Sequence, residues 1–330
     1  MKHRYGDIPY LGCRQDKIQT AVPRINIINF VHLCNWIKER YTVHLKKDIM
    51  HMPAPWTDDP IIREFRFTNV RREHDKETKW VIENLCKKSP EEFEGNLIGK
   101  WANLILFRIF NKSETCKHIL PIDFDNVNWD KINAYFNSCP KDYVFFTNAF
   151  NTGGVKRVCN WKTGENDLKT TAIKYIQNLF NQGEFECLDT VRADDFFNNL
   201  VRIPGMGRFL AYQILVDWTY CPECPFSENE FVIAGPGCKK GLGMIFTDAD
   251  GMTPEEQLFW LRDNWDKLLK WLNIDWTPEE LFTDLPKEDR FMNVMSLENC
   301  MCELSKYIRA YNGTGRPRNK YNPGGNKNDK

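Results

Sequence analysis

Apolar residues in this sequence recur mainly at steps of three and four, which is the spacing of one face of an α-helix. The pattern is clear near the start of the chain, in Ile27, Phe30, Cys34, Ile37 and Tyr41. It returns in Phe93–Leu97–Trp101–Leu104 and in Leu168–Ala172–Ile176–Leu179. Strand-like alternation is short, with Tyr143–Thr147 and Phe231–Ala234 as the best candidates. The spacing therefore predicts a mainly α fold with few short strands.

Two helix starts can be placed from the residue types alone. Thr253-Pro254-Glu255-Glu256 and Thr277-Pro278-Glu279-Glu280 each have an N-cap Thr, Pro at the first helical position and Glu three residues after the cap. Such a Glu closes a capping box, so we expect helices to begin at Pro254 and Pro278.

Composition excludes several classes of protein. The 330 residues are 13% aromatic, more than a disordered chain would use, and the 45 Lys and Arg balance 45 Asp and Glu, unlike a histone-like polycation. No run of 18 apolar residues occurs and the first 20 residues lack the apolar core of a secretory signal, so we expect a cytoplasmic protein.

Metal and redox cofactors are not expected. The twelve Cys are unevenly spaced, and Cys221 and Cys224 form the one CxxC pair. All six His precede residue 119, so a zinc site at this pair would need ligands from distant parts of the chain. Buried free thiols are the simpler interpretation, with structural zinc as the alternative.

A helix-hairpin-helix pattern is the clearest local signal. A short helix over Ala193–Leu200 leads into Ile203-Pro-Gly-Met-Gly207, and an amphipathic helix follows from Arg208. Gly205 and Gly207 allow a tight turn that leaves N–H groups at the next helix start for a DNA phosphate, and Arg208 adds charge. The alternative is a Gly-rich turn between packed helices.

Carboxylates and cations follow the hairpin. Glu228 and Glu230 are candidates for a general base, as is Asp217 in the preceding helix; if their segment is a strand, Glu228 and Glu230 share a face. The loop Gly235–Gly241 carries Lys239 and Lys240 and could bind a phosphate or pyrophosphate, or be a turn with solvated lysines. No GxxxxGK(S/T) P-loop occurs in the sequence.

The segment 56–75 interleaves Arg and aromatic residues, which suits a surface that grips phosphates and stacks an extruded base. Arg66, Asn69, Arg72 and Asp75 occur at three-residue steps and would share one face of a helix. The alternative is a salt-bridged helical face.

With these motifs, the chain resembles the α-glutamyl/putrescinyl thymine pyrophosphorylases, phage amino acid:DNA transferases related to helix-hairpin-helix DNA glycosylases. The resemblance rests on DDPIIREFRFTNVRREHD, FFTNAFNTGG, LVRIPGMGRFLAYQIL, FSENEFVIAGPGCKKGL, SLENCMCELSKY and GRPRNKY. Related proteins in the wider group carry a helical domain fused to a kinase.

The resemblance implies a reaction on double-stranded DNA that contains a modified thymine. A hydroxymethyluracil DNA kinase first makes a 5-pyrophosphoryl ester, and the transferase then replaces pyrophosphate with the amine of an amino acid or polyamine. The resemblance also implies a glycosylase-like helical fold, base flipping and no cofactor.

Roles follow from motif position and chemistry. Glu230, with Glu228 and Asp217 as substitutes, would be the base, and Asn69 and Asn148 would orient the pyrimidine. Arg66, Arg72, Lys239, Lys240, Gly205, Gly207 and Arg208 would contact pyrophosphate or DNA phosphates. Two other functions remain open at this point: a glycosylase that excises a modified base, and a non-catalytic DNA-binding module.

Domain boundaries are weakly marked. We expect an N-terminal helical region over 1–140, a helix-hairpin-helix region over 141–312, and a basic flexible tail over 313–330.

Overall fold

The computed structural model describes residues 23–93, 96–147, 167–315, 317 and 320–321. The α-helices are α1 Ile27–His44, α2 Pro60–Glu64, α3 Lys76–Val81, α4 Leu97–Phe110, α5 Ser113–Ile119, α6 Trp129–Ser138, α7 Leu168–Asn181, α8 Ala193–Arg202, α9 Arg208–Trp218, α10 Pro236–Ile245, α11 Pro254–Trp271, α12 Pro278–Leu281 and α13 Val294–Tyr311. The strands β1 Arg24–Ile25 and β2 Phe246–Asp248 pair antiparallel. The predicted mainly α fold is confirmed.

The two predicted strands are wrong. The segments 143–147 and 231–234 run as irregular chain, and the strand pairing goes to β1 and β2 instead. Alternation alone does not make a strand, because a strand also needs a neighbour to complete its hydrogen bonds.

Both predicted capping boxes are confirmed. At the start of α11, the Thr253 hydroxyl accepts the Glu256 N–H at 3.2 Å, and the Glu256 carboxylate accepts the Thr253 N–H at 2.7 Å. Thr277 and Glu280 make the same pair of bonds at 3.3 and 3.0 Å. Each box satisfies helix-end donors that would otherwise lack partners.

The pair α10 and α13 forms the tightest helix contact. A Cβ added to Gly241 of α10 would lie 2.1 Å from the carbonyl oxygen of Met301 in α13, and one added to Gly237 would lie 3.1 Å from Cys302 Sγ. The glycines of this region therefore serve close packing of two helix backbones.

The buried apolar residues, from Phe30 in α1 to Ile308 in α13, form one hydrophobic cluster. Helices from both sides of residue 140 share it, since α4 packs against α7 and α9, and α1 packs against α13. The division near residue 140 stays a prediction. No helix in the described ranges is both long and apolar enough to cross a bilayer.

Part of the basic tail is docked. The Tyr321 N–H donates to the Glu64 carbonyl oxygen at 2.8 Å, and the Tyr321 ring lies 6.1 Å from that of Trp56. Residues 320–321 therefore differ from the flexible tail that we expected, because an aromatic ring and a backbone bond hold them. Residues 322–330 lie outside the described part of the chain.

Candidate functional site

The segment Thr68–Asp75, which we call the arginine segment, is not a continuous helix. Its first half is irregular with bends at Val70 and Arg71, and Arg72–His74 form a short 3-10 turn. The amide of Asn299 in α13 donates to the Asn69 carbonyl oxygen at 2.8 Å, and the Asn69 N–H donates to Asp75 Oδ1 at 2.9 Å. One bond from another helix and one bond within the segment take the place of helical hydrogen bonds, so Arg66, Asn69, Arg72 and Asp75 do not share a helix face.

The side chain of Asn69 makes hydrogen bonds within the arginine segment. Its buried side-chain amide donates to the His74 carbonyl oxygen at 2.9 Å and to Asp75 Oδ1 at 3.1 Å. Both donors are used within the segment, so the side-chain oxygen Oδ1, which has no hydrogen-bond partner among the described residues, is the atom left for a contact with a base. Arg66 is exposed on the same stretch, and Asn148 lies outside the described residues.

Arg71, which the sequence analysis did not select, is the centre of a cluster of polar and charged side chains around the arginine segment. Its buried guanidinium donates to Glu73 Oε1 at 2.7 Å, to Glu228 Oε1 at 2.9 Å and to the Phe291 carbonyl oxygen at 3.1 Å. One cation therefore joins two carboxylates that are 155 positions apart (228 − 73) in the chain. Arg71 directly precedes Arg72 in the sequence, and this adjacency is the one signal that could have suggested Arg71.

The structure distinguishes the two predicted bases. Ser227–Glu230 form a turn, not a strand, with the Glu230 N–H donating to the Ser227 carbonyl oxygen at 3.3 Å. The two Glu therefore point differently. Glu230 is exposed and its carboxylate accepts the Ser227 N–H at 2.8 Å, whereas the Glu228 side chain is 18% exposed and faces Arg71.

The hydrogen bonds that hold Glu228 are made to one of its two carboxylate oxygens. Its Oε1 accepts from Arg71 and from the side-chain amide of Asn293, while no donor among the described residues reaches Oε2. Burial raises the pKa of Glu228 to about 7; Arg71 opposes the rise, and the negative charges of Glu73 and Asp289 add to it. A carboxyl group of this kind can gain or lose a proton near neutral pH.

Asn293 is a second residue that the sequence analysis missed. It is the N-cap of α13, where its Oδ1 accepts the Ser296 N–H at 2.7 Å while its Nδ2 donates to Glu228. A polar residue directly before a long buried helix is the signal that could have identified it.

Arg72 lies in a neighbouring ion pair. It donates to Glu298 Oε2 at 2.8 Å and to Gln213 Oε1 at 3.0 Å, and its guanidinium lies 5.6 Å from the centre of the Tyr212 ring. Glu298 also accepts the Gly235 N–H at 3.3 Å, at the start of α10. Glu298 lies in the motif SLENCMCELSKY, and its pairing with Arg72 becomes visible only in the tertiary structure.

The predicted loop Gly235–Gly241 is instead the first half of α10. Gly235 is the N-cap and its N–H already serves Glu298, so the backbone does not form the expected phosphate-binding loop. Lys239 and Lys240 are exposed on the helix.

Asp217 is fully buried and pairs with Arg108 through both oxygens, with an Arg108 Nε to Asp217 Oδ2 distance of 2.5 Å. Burial raises the pKa of Asp217 and the positive charge of Arg108 opposes the rise. This pair fixes α9 to α4, so Asp217 is not placed to take a proton from a substrate.

Two helices flank a glycine-containing turn at residues 203–207. Helices α8 and α9 flank the turn, Gly205 has a φ of +82°, and Gly207 is the N-cap of α9 with open space around its Cα. Arg208 is exposed at the first helical position, 5.1 Å from the Phe197 ring. The turn thus presents backbone and a cation to solvent.

Among the described residues, eleven buried side-chain polar atoms have no hydrogen-bond partner, and six of them lie in or near the arginine segment. These six are Asn69 Oδ1, Arg72 Nε, Glu73 Oε2, His74 Nδ1, Tyr212 OH and Tyr220 OH. Leaving such groups unpaired costs free energy. Their concentration beside Glu228 marks a place that is suited to accept polar groups of a ligand.

A 5-hmdU DNA kinase from Bacillus phage SP10 is 24% identical over 287 residues, which cover 83% of this chain and 44% of the relative. The chain thus spans less than half the length of that curated relative. No solved structure matches.

The family model described as "5-hmdU DNA kinase, helical domain" matches residues 28–316. This match includes the hairpin, the arginine segment, Glu228 and α13. It points to a family of phage thymine modification without singling out the transferases that the motifs resemble. The chain belongs to the 5-hmdU DNA kinase helical-domain family.

Proposed function

We propose that this protein modifies thymine-derived bases in double-stranded DNA by transferring an amine to the 5-methylene carbon of 5-pyrophosphorylmethyl-deoxyuridine. The observation that carries this proposal is the meeting of four distant motifs in one buried polar cluster. The arginine segment, the hairpin helix α9, the turn at Glu228 and the start of α13 all contribute side chains to it.

The transfer needs a proton acceptor. A bond forms between the amine nitrogen and the methylene carbon, the bond between that carbon and the pyrophosphate oxygen breaks, and the pyrophosphate leaves with the bonding electrons. The amine loses one proton in this exchange. We assign that proton to Glu228 Oε2, since a pKa of about 7 leaves much of the carboxylate ionised at neutral pH.

The leaving pyrophosphate needs donors. We assign Arg72 to this role, because its Nε is buried without an acceptor while its other nitrogens are held by Glu298 and Gln213. A guanidinium fixed in this way can offer a preorganised hydrogen bond to the developing negative charge.

DNA binding is assigned to the hairpin and to exposed cations. The N–H groups at the start of α9, together with Arg208, suit a phosphate, and Lys239, Lys240 and Arg66 would add contacts along the backbone. The target base must leave the stack before an amine can reach its 5-methylene carbon. We keep both predicted base contacts, Asn69 through its unpartnered Oδ1 and Asn148.

Phosphorylation of 5-hydroxymethyl-deoxyuridine is the second candidate, favoured by the name of the relative from phage SP10. The absence of a P-loop sequence from these 330 residues counts against a P-loop kinase site within them. In either case we propose that the protein works in the cytoplasm of a phage-infected cell, together with a hydroxymethyluracil DNA kinase activity.

One experiment separates the candidates. The protein is incubated with duplex DNA containing 5-hydroxymethyl-deoxyuridine and ATP, or 5-pyrophosphorylmethyl-deoxyuridine with amino acids and putrescine. The nucleosides are then analysed by mass spectrometry. An amine adduct in the second reaction supports the transferase, and a phosphate ester in the first supports the kinase. Free base with abasic sites identifies a glycosylase, and unchanged nucleosides with retained DNA affinity identify a binding module.

A further inference from the structure

Two histidines and an aspartate meet next to the arginine segment. His44 ends α1, His74 ends the 3-10 turn, and Asp284 follows α12. Asp284 Oδ2 lies 3.1 Å from His44 Nε2 and 3.4 Å from His74 Nε2. The three side chains are at most 9% exposed.

We propose that His44 Nε2, His74 Nε2 and Asp284 Oδ2 bind a divalent transition-metal ion. Bonds of about 2.0–2.1 Å around a tetrahedral zinc ion put its ligand atoms roughly 3.4 Å apart. Both distances to Asp284 Oδ2 match that edge, and all three ligand atoms lie within 4.8 Å of one another. The proposal concerns binding and does not depend on the proposed reaction.

The outer contacts resemble those that orient metal ligands. His44 Nδ1 lies 3.0 Å from Asp48 Oδ2, and the Tyr41 hydroxyl donates to Asp284 Oδ1 at 2.5 Å. A carboxylate on the far nitrogen of a ligating histidine fixes its orientation and raises its basicity. His74 Nδ1 is buried and has no hydrogen-bond partner among the described residues.

The two imidazoles must adjust to hold one ion. Their rings are stacked, with centroids 3.9 Å apart and planes at 16°. For both Nε2 lone pairs to point at the same metal ion, the two ring planes must tilt so that their Nε2 edges come closer and their opposite edges move apart. The ion would take the place of the direct contact between His44 Nε2 and Asp284 Oδ2.

The donor set limits the choice of ion. Two imidazoles and one carboxylate suit Zn²⁺, Mn²⁺, Fe²⁺ or Co²⁺ better than Mg²⁺ or Ca²⁺, which prefer oxygen. Three protein ligands leave a coordination position open, as in catalytic sites. Phe282, two residues before Asp284, has its ring 5.9 Å from the Arg71 guanidinium, so the site adjoins the cluster that holds Glu228.

The test uses the full chain after treatment with a chelator. Zn²⁺ is added and its affinity and stoichiometry are measured by calorimetry, with His32→Asn and His118→Asn as controls outside the cluster. We expect one ion per chain, binding weakened at least about 100-fold by Asp284→Asn, and no change in the two controls.

A second measurement covers the case in which Asp284→Asn fails to fold. Co²⁺ is added to the unaltered protein and the histidine ring signals are followed by NMR. The proposal requires strong paramagnetic effects at His44 and His74 and weaker ones at His32 and His118. Absence of binding, or equal effects at all four histidines, would overturn it.

Discussion

Replacing Glu228 with Gln should remove the proton acceptor while leaving its surroundings in place. The Gln carbonyl oxygen can still accept from Arg71 and Asn293, so the fold of the cluster should survive. Loss of a general base costs roughly 10²–10⁴-fold in rate. We therefore expect a fall of that size in the single-turnover rate of amine transfer, with little change in DNA affinity.

The pH dependence gives a sharper form of the same prediction. With a pKa of about 7, Glu228 would be ionised in roughly one-tenth of the molecules at pH 6 and in roughly nine-tenths at pH 8. Because the ionised form is the base, the rate should rise about tenfold per pH unit below 7 and level off above it. This acidic limb should be absent from the residual activity of Glu228→Gln.

Stability should change with pH in the opposite direction. Folding raises the pKa of Glu228 from 4.5 to about 7, so the folded state holds this proton more tightly than the unfolded state. The contribution of this group is therefore fully present below pH 4.5 and is lost as the pH rises through about 7. Denaturant unfolding at several pH values should show a component of this sign that Glu228→Gln removes.

Glu230→Gln is the matched control, because Glu230 lies in the same turn but is exposed and bonded only to its own turn. The rates are measured by mass spectrometry of nucleosides from DNA with one modified base. Full activity of Glu228→Gln, or an equal loss in Glu230→Gln, would refute the assignment of the base.

Three other predictions test the packing, the cap and the hairpin. Gly241→Ala should lower the free energy of unfolding by about 1–3 kcal/mol or more, whereas Gly243→Ala, with nothing within 4 Å of the added Cβ, should raise it by up to about 1 kcal/mol. Denaturant titration measures both values, and an equal change in the free energy of unfolding of the two variants would contradict the packing argument. Asn293→Asp keeps a cap acceptor but sets a second negative charge beside Glu228, so the acidic limb of the rate profile should move to higher pH, and an unmoved limb would contradict the contact. Arg208→Gln should lower the slope of log affinity against log salt by about 0.9, and an unchanged slope would exclude its phosphate contact.

Local signals in the sequence predicted local structure well. The boxes at Thr253 and Thr277 depend on four consecutive residues, and the turn at Gly205 depends on a backbone conformation that glycine adopts easily, so neither needed knowledge of the tertiary fold. Gly241 shows the limit of such reasoning. Its absent side chain makes room for another helix backbone, and that helix lies 60 positions later (301 − 241) in the sequence.

The candidate site was predicted in outline and not in detail. The sequence identified Arg72 and Glu228, but it ranked Glu230 above Glu228 because residue type cannot show which side chain of a turn points inward. Arg71 escaped notice because Glu228 and Phe291 are brought to it by tertiary contacts alone, and Glu73 escaped notice because its bond to Arg71 has meaning only in that cluster. His44, His74 and Asp284 are likewise far apart in the sequence, so their proximity in the structure could not be predicted.

The side chain of Asn293 links two events that could have been independent. Its oxygen closes the first turn of α13 and its nitrogen holds Glu228, so a chain in which that turn has opened also loses a donor to the proposed base. Opening of the helix start would leave Arg71 as the remaining donor to Glu228 and alter the affinity of Glu228 for a proton. The proposed transfer therefore depends on a closed first turn of α13, and a molecule in which that turn is open would lose one of the donors that position the proposed base.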